Sequence, residues 1–173
     1  MIRNYFALVL ISFLFCFIFI KCAKQSIVNP IPKITYQGYS KIPYQNFSTD
    51  SLIFIKLEFE DGDGNMGLNI NDSAHPFRIG DEYYHNVFVE YMAGKNGVYN
   101  YVVNGPDTIN YNDRITNIEP DTRNKSISGF MTIKIEPIIG AIVPDSIKLN
   151  IYIVDRALNK SNKVSTGAIP VNF

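Results

Sequence analysis

The chain of 173 residues is long enough for one domain of ordinary size, and its 16 basic and 16 acidic side chains cancel. This balance removes any global electrostatic reason to expect a nucleic-acid partner. The two cysteines, Cys16 and Cys22, both lie in or beside the N-terminal segment. The rest of the chain therefore has no disulfide framework, thiolate metal ligand or cysteine nucleophile.

The first 21 residues have the composition of a secretory signal. Arg3 supplies a positive charge, and the run 5–20 is almost uninterruptedly apolar. As a helix this run would be about 24 Å long, whereas the hydrocarbon core of a bilayer measures about 30 Å. The length favours the hydrophobic part of a signal peptide over a permanent span, and it predicts an N-terminal signal helix over 1–21.

Cys22 directly follows this segment and is the predicted lipidation site. In a bacterial lipoprotein signal this cysteine becomes the acylated first residue of the mature protein, although the residue before it, here Lys21, is usually small. The alternative is an uncleaved anchor flanked by Lys21 and Lys24. Either arrangement holds the rest of the chain at a membrane, through a proline-containing tether over 22–33.

Beyond residue 33 the hydrophobic period is two, which is the period of half-buried β-strands. The predicted strands are 34–39, 51–60, 85–92, 98–103, 127–136, 146–154 and 163–172. Between two of them the sequence Gly-Lys-Asn-Gly at 94–97 predicts a hairpin with positive φ at its Asn-Gly pair. About seven short strands predict an all-β domain over 34–173, an antiparallel β-sandwich of immunoglobulin-like or fibronectin-III-like type.

One acidic loop has the spacing of a cation site. It follows the best strand and reads Asp-Gly-Asp-Gly-Asn-Met-Gly, so that Asp61, Asp63 and Asn65 offer oxygen ligands at positions one, three and five. Asp72 occupies the twelfth position, where an EF-hand has its bidentate acid, but the sixth residue is methionine and the loop leaves a strand. These features predict a structural Ca²⁺ ion bound at a strand-to-loop junction. The alternative is a solvated loop whose Asp-Gly pairs form turns.

Strand order adds Asp155 to this set of candidate ligands. If successive strands reverse direction, the strands that end near residues 60 and 154 run parallel and finish at the same pole. The segment 155–159 then lies beside Asp61, and Asp155 either completes the cation site or pairs with Arg156. An extra strand near 109–116 would invalidate this inference.

Tyrosines are concentrated between residues 83 and 111. Aromatic side chains with one polar end suit contacts with proteins or glycans. The alternative is cross-strand packing on a sheet surface. The candidate ligand-binding residues are Tyr83, Tyr84, Tyr91, Tyr99 and Tyr101.

Three segments together give the chain a resemblance to a known family. They are the hydrophobic leader that ends at Cys22, the segment 59–67 (Phe-Glu-Asp-Gly-Asp-Gly-Asn-Met-Gly) and the run 155–162 (Asp-Arg-Ala-Leu-Asn-Lys-Ser-Asn). In these features the chain resembles envelope lipoproteins of Bacteroidota type that carry a single immunoglobulin-like β-sandwich. The resemblance implies the outer membrane as the destination, leaves open whether the domain faces the periplasm or the cell surface, and implies no particular activity.

The sequence predicts a membrane-tethered, non-enzymatic envelope module, binding or structural, with a calcium-stabilised acidic loop. No nucleophile elbow, phosphate loop or dinucleotide fingerprint is present, and His75 and His85 have no partner at metal spacing. The alternative function is that of a carbohydrate-binding accessory protein that uses the tyrosine-rich region. The expected partners are the membrane, reached through a lipid or an anchor, and a protein or glycan, with no nucleic acid.

Overall fold

The computed structural model describes residues 29–43, 50–116, 118, 125–138 and 143–172. Within these ranges the protein is all-β, and its named strands pair antiparallel throughout. No helix in the described part is long and apolar enough to cross a membrane. The predicted signal helix, Cys22 and the first part of the predicted tether lie outside the described residues.

Ten strands make up two sheets and a small hairpin. The strands are β1 (Lys33–Pro43), β2 (Asp50–Asp61), β3 (Val87–Lys95), β4 (Val98–Tyr101), β5 (Val103–Asn104), β6 (Asp107–Thr108), β7 (Ile127–Ile135), β8 (Ser146–Ile153), β9 (Val164–Ser165) and β10 (Ile169–Pro170). One sheet has the order β1-β2-β7, and the other has the order β10-β8-β3-β4 with β9 also paired to β8. The hairpin consists of β5 and β6.

The two sheets share one hydrophobic core, as expected for a β-sandwich. Alternate residues of β2, β3 and β8 point into it and are almost completely excluded from solvent. These residues are Ile53, Ile55, Leu57, Phe59, Val87, Val89, Tyr91, Ala93, Ile147, Leu149, Ile151 and Ile153. Each large apolar side chain buried in this way contributes roughly 1.5–3 kcal/mol relative to its exposed state. The predicted period of two is confirmed in these three strands.

The turns explain where the strands end. Asn96 and Gly97 join β3 to β4 with φ angles of 51° and 80°, which confirms the predicted hairpin turn. The predicted strand 163–172 is instead divided into β9 and β10. Gly167 lies between these two pieces with a φ of 68°, and Pro170 has no N–H to donate.

An additional segment does lie near 109–116, but it leaves the predicted strand ends together. It follows β3 beyond the end of β4, with bridges that join Glu90 to Asn110 and Val87 to Asp113. This side of β3 is the one away from β8. The segment therefore widens the sheet at its edge and does not separate β2 from β8.

Candidate metal centre

The strands β2 and β8 end at the same pole of the sandwich, and each delivers an acid there. Asp61 is the last residue of β2, and Asp155 follows β8 by two residues. Oxygens of Asp61, Asp63 and Asp155 all lie within 4.8 Å of one another. The predicted proximity of Asp155 to the acidic loop is thus confirmed, and we call these three residues with Asn65 the acidic cluster.

The acidic loop turns back on its own first residue. Oδ2 of Asp61 accepts a hydrogen bond from the N–H of Met66 at 2.8 Å, and Met66 is itself fully buried. The turn needs a φ of 69° at Gly64, a value that glycine adopts without steric penalty. Asn65 donates from Nδ2 to Oδ2 of Asp63 at 2.8 Å. These bonds bring Asn65 into the same cluster as the acids.

Three oxygens of the cluster are buried and accept no hydrogen bond from any described residue. They are the Oδ1 atoms of Asp61, Asp63 and Asn65. Asp61 as a whole is only 1% exposed. Leaving a buried acceptor unpaired costs about 1–3 kcal/mol, and more when the group is charged. Carboxylate and amide oxygens arranged in this way are the ligands that hard divalent cations take.

The electrostatics of the cluster oppose its full ionisation. The pKa of Asp61 is raised to about 6, chiefly by burial and in smaller part by the carboxylates of Asp63 and Asp155, whereas the N–H of Met66 acts to lower it. A doubly charged ion among these oxygens would favour the ionised form and reverse the effect of the neighbouring acids. Protons and a bound cation would therefore compete for these oxygens.

Asn159 fixes the position of Asp155. Its N–H donates to Oδ1 of Asp155 at 2.7 Å, and its Nδ2 donates to Oδ2 at 2.8 Å. Asp155 returns a bond from its own N–H to the carbonyl of Asn159 at 3.0 Å, and Leu158 closes the turn with a φ of 67°. Each carboxylate oxygen can accept a further bond, so Asp155 is oriented and still able to bind an ion.

The structure does not bring Asp72 into the acidic cluster. Oδ2 of Asp72 accepts the N–H of Asn69 at 2.7 Å and lies 3.7 Å from Nε of Arg156. The N–H of Asp72 donates back to the carbonyl of Asn69, which makes 69–72 a turn of its own. The twelfth-position rule applies to a loop between two helices, and a loop that leaves a strand takes a different path.

Arg114, which the sequence did not single out, organises the long loop beyond the cluster. Its guanidinium donates to four backbone carbonyls: those of Asn69 (3.1 Å), Asp72 (2.8 Å), Phe77 (3.5 Å) and Tyr84 (2.8 Å). It also lies 5.4 Å from the ring centroid of Tyr84. Because carbonyls are present at every residue, no local pattern in the sequence indicates such a role.

Two of the candidate tyrosines have structural roles. Tyr91 is fully buried, and its hydroxyl donates to the carbonyl of Ile138 at 3.2 Å and accepts from the N–H of the same residue at 3.1 Å. A surface ligand therefore cannot reach Tyr91. Tyr99 is half-buried, with its hydroxyl 3.1 Å from Oγ of Ser146, and its ring occupies the space that a Cβ at Gly94 would need.

Of the other three candidates, Tyr83 and Tyr84 lie in the loop between β2 and β3, and Tyr101 lies in β4. Tyr84 packs edge to face on His85, and the guanidinium of Arg114 lies over the ring of Tyr84. Tyr83 is half-buried in the same loop. Tyr101 ends β4 and is 51% exposed. The five predicted ligand-binding tyrosines therefore do not make one continuous surface.

No family model matches the chain, and neither a curated protein nor a solved structure matches it. The chemistry of the acidic cluster follows from its own geometry. Four side chains present oxygen ligands, and two of the acids are almost completely buried. Three of the oxygens accept no hydrogen bond from the described residues. Such an arrangement can hold one hard cation and so join the ends of β2 and β8.

Proposed function

We propose that the protein is a non-enzymatic module of the cell envelope, binding or structural, whose acidic pole is ordered by Ca²⁺. The observation that supports this function is the convergence of three buried, unpaired oxygens with the carboxylate of Asp155. Calcium takes about six to eight oxygen ligands. The acidic cluster supplies four side chains, and water or main-chain oxygens would complete the shell.

The chemistry of the ligands favours calcium over other metal ions. Every candidate ligand in the cluster is an oxygen, whereas zinc and copper sites use imidazole or thiolate ligands. Magnesium requires a near-ideal octahedron and keeps much of its water. Calcium, the larger ion, accepts a variable number of ligands. It is therefore better suited to side chains that are contributed by two loops.

The envelope location in this proposal rests on the leader and on Cys22 as the lipidation site, or on the leader as an anchor. The destination would be the outer membrane, with the domain facing either the periplasm or the cell surface, and the domain itself would be of immunoglobulin-like type. Calcium sites of extracellular modules bind with dissociation constants of about 10⁻⁴–10⁻³ M. An ion-stabilised domain is compatible with such a compartment.

The test of the calcium site is the melting temperature of the full chain in EGTA and in millimolar calcium, for the native protein and for Asp61→Asn. Calcium at about 10 mM, which is about 100 times a Kd of 10⁻⁴ M, adds about 2.7 kcal/mol of stability, which corresponds to a rise of roughly 5–10 °C for a domain of this size. Asp61→Asn removes a ligand charge, so the calcium-dependent rise should disappear. The same change relieves repulsion, so the metal-free protein should be at least as stable as the native one.

Asp72→Asn is the matched control, because it neutralises an acid of the same loop that lies outside the cluster. We expect the calcium-dependent rise to persist in this variant. Loss of the rise in both variants would favour the EF-hand-like spacing, and loss in Asp72→Asn alone would place the ion outside the acidic cluster. The absence of any rise in the native chain, or an equal rise with magnesium, would contradict a calcium site.

Attachment to the membrane can be tested separately, by measuring how much of the protein is found in the membrane fraction of cells that express the full chain. If Cys22 carries the lipid, Cys22→Ser should abolish incorporation of a labelled fatty acid and shift the protein out of the membrane fraction. Cys16→Ser is the matched control, since this cysteine interrupts the apolar run. Membrane association of Cys22→Ser at the native level would support the uncleaved anchor.

A further inference from the structure

A groove of about 160 Å³ lies on the outer face of the five-stranded sheet, away from the acidic cluster. Phe88 and Glu90 belong to it because they alternate along β3 with the buried Val87 and Val89. The side chains that matter for the argument are Phe88, Glu90, Tyr101, Asn110, Asn112 and Tyr152. The groove thus combines three aromatic rings with one carboxylate and two amides.

The aromatic rings form two walls. Phe88 and Tyr152 are partners across β3 and β8, and their rings are parallel to within 6° with centroids 4.7 Å apart. Tyr101 is 51% exposed and borders the same groove. Aromatic walls with a polar rim accept flat ligands that have an apolar face and polar edges.

The two amides are held in place and still have hydrogens to donate. Oδ1 of Asn112 accepts the N–H of Val89 at 2.9 Å, and Oδ1 of Asn110 accepts the N–H of Asn112 at 3.2 Å. These bonds fix both amide groups through their oxygens. Their Nδ2 groups are then the donors that a ligand hydroxyl or ring oxygen would meet.

The charges around the groove compensate one another. Oε1 of Glu90 lies 2.5 Å from Nζ of Lys163, and Nζ of Lys160 lies 3.7 Å from the ring centroid of Tyr152. Glu90, the carboxylate that lines the groove, is therefore paired with Lys163, and Lys160 lies over the ring of Tyr152. A groove whose lining carboxylate is already paired favours a neutral ligand over an ion.

In the part of the chain that the structure describes, the edge of β3 beneath the groove is covered by residues 110–113 and is not free to pair with a peptide. Beside β3, the N–H of Tyr111 donates to the carbonyl of Val89, and the N–H of Asp113 donates to that of Val87. A peptide that adds a strand needs unpaired main-chain groups. The volume is also smaller than the ~300 Å³ or more of pockets for drug-sized ligands. A single ring fits these limits better than a peptide or a large cofactor.

We propose that this groove binds one ring of a neutral saccharide, between Tyr101 on one side and Phe88, whose ring stacks on that of Tyr152, on the other. The amides of Asn110 and Asn112 would donate to its hydroxyls. Only Tyr101 of the five tyrosines predicted from the sequence belongs to this site. The site is separate from the acidic cluster and does not depend on the calcium proposal.

The test is titration of the full chain, in EGTA, with four neutral oligosaccharides: cellohexaose, xylohexaose, mannohexaose and laminarihexaose. We expect the native protein to bind at least one of them with a Kd in the millimolar range or below. Tyr101→Ala should weaken that binding at least about tenfold. Tyr101→Phe keeps the ring and should bind within a few-fold of the native protein.

Tyr39→Ala is the matched control, since Tyr39 is a similarly exposed tyrosine (41%) on β1 of the other sheet. It should bind as the native protein does. If none of the four oligosaccharides bound at a concentration of about 10 mM, the proposal would be overturned. Equal affinity of Tyr101→Ala and Tyr39→Ala would also overturn it, and so would binding that requires calcium, because it would place the sugar at the acidic cluster.

Discussion

An aspartate stands at each pole of the sandwich, and the two differ in what their oxygens contact. Asp145 comes just before β8, where its Oδ2 accepts the N–H of Asn96 and its Oδ1 accepts the hydroxyl of Ser146, both at 2.8 Å. These donors hold the pKa of Asp145 below its ordinary value. Asp61, at the other pole, has one donor and two neighbouring acids, and burial raises its pKa to about 6.

The difference distinguishes a structural carboxylate from a candidate ligand. Asp145 ties the turn between β3 and β4 to the start of β8, and both of its oxygens are engaged. Asp61 is nearly inaccessible, yet one of its oxygens accepts no bond from the described residues. Because a buried charge without a partner is unfavourable, a cation that supplied the missing interactions would stabilise the protein most at this second pole.

The pH dependence of stability gives the largest expected effect. Asp61 has a pKa of about 6 in the fold against an ordinary value of 3.8, so its contribution is fully present below 3.8 and is lost as the pH rises through 6. In EGTA the free energy of unfolding should therefore fall by up to about 3 kcal/mol between pH 4 and pH 7. Denaturant titrations across this range would measure the fall.

Calcium should reverse this trend, because protons leave the cluster as the ion binds. Asp61→Asn should flatten the dependence between pH 4 and 7 in EGTA. Asp145→Asn is the contrasting variant: the pKa of Asp145 is lowered, so its contribution is lost only as the pH falls through that lowered value. A dependence that is the same in Asp61→Asn and in the native protein would show that another group is responsible.

Much of the fold was predictable because an apolar residue recurs at every second position of β2, β3 and β8. Alternation does not show where an edge strand breaks. The residues 163–172 keep an apolar pattern, but Gly167 and Pro170 divide the strand, and only pairing with β8 reveals the two pieces. The type of sandwich depends on connections that the period of two does not encode.

The acidic cluster was predictable in part. Asp61, Asp63 and Asn65 follow from local spacing, and Asp155 follows from the direction of the strands. Asp72 does not join them, because a spacing rule from one loop geometry was applied to another. Arg114 was missed because its partners are backbone carbonyls 30 to 45 residues away.

The groove on the outer face of the five-stranded sheet shows that sequence-based prediction is limited in the same way at longer range. Alternation along β3 places Phe88 on the outer face, and alternation along β8 does the same for Tyr152. Their stacking depends on the register between β3 and β8, which pairs Phe88 with Tyr152, 64 residues further along the chain, and Glu90 with Asn150, 60 residues further. Local sequence defines the face of a side chain but not its neighbour across the sheet.

Amide hydrogen exchange gives the smallest expected effect and the most local comparison of the two poles. The N–H of Met66 donates to Asp61, and the N–H of Asn96 donates to Asp145, both at 2.8 Å. Calcium should slow the exchange of Met66 about tenfold or more, since the ion restricts the loop, and should leave Asn96 unchanged, because loop amides exchange through local opening.

The buried strand β8 serves as the reference, because its core amides exchange through global unfolding and report the overall gain in stability. If calcium slowed exchange in β8 but left Met66 unaffected, the ion would be bound outside the acidic cluster. If Met66 and Asn96 slowed equally, both loops would be opening only with the whole domain. Selective protection of Met66 would assign the calcium-dependent stability to the pole where the Oδ1 atoms of Asp61, Asp63 and Asn65 accept no hydrogen bond from the described residues.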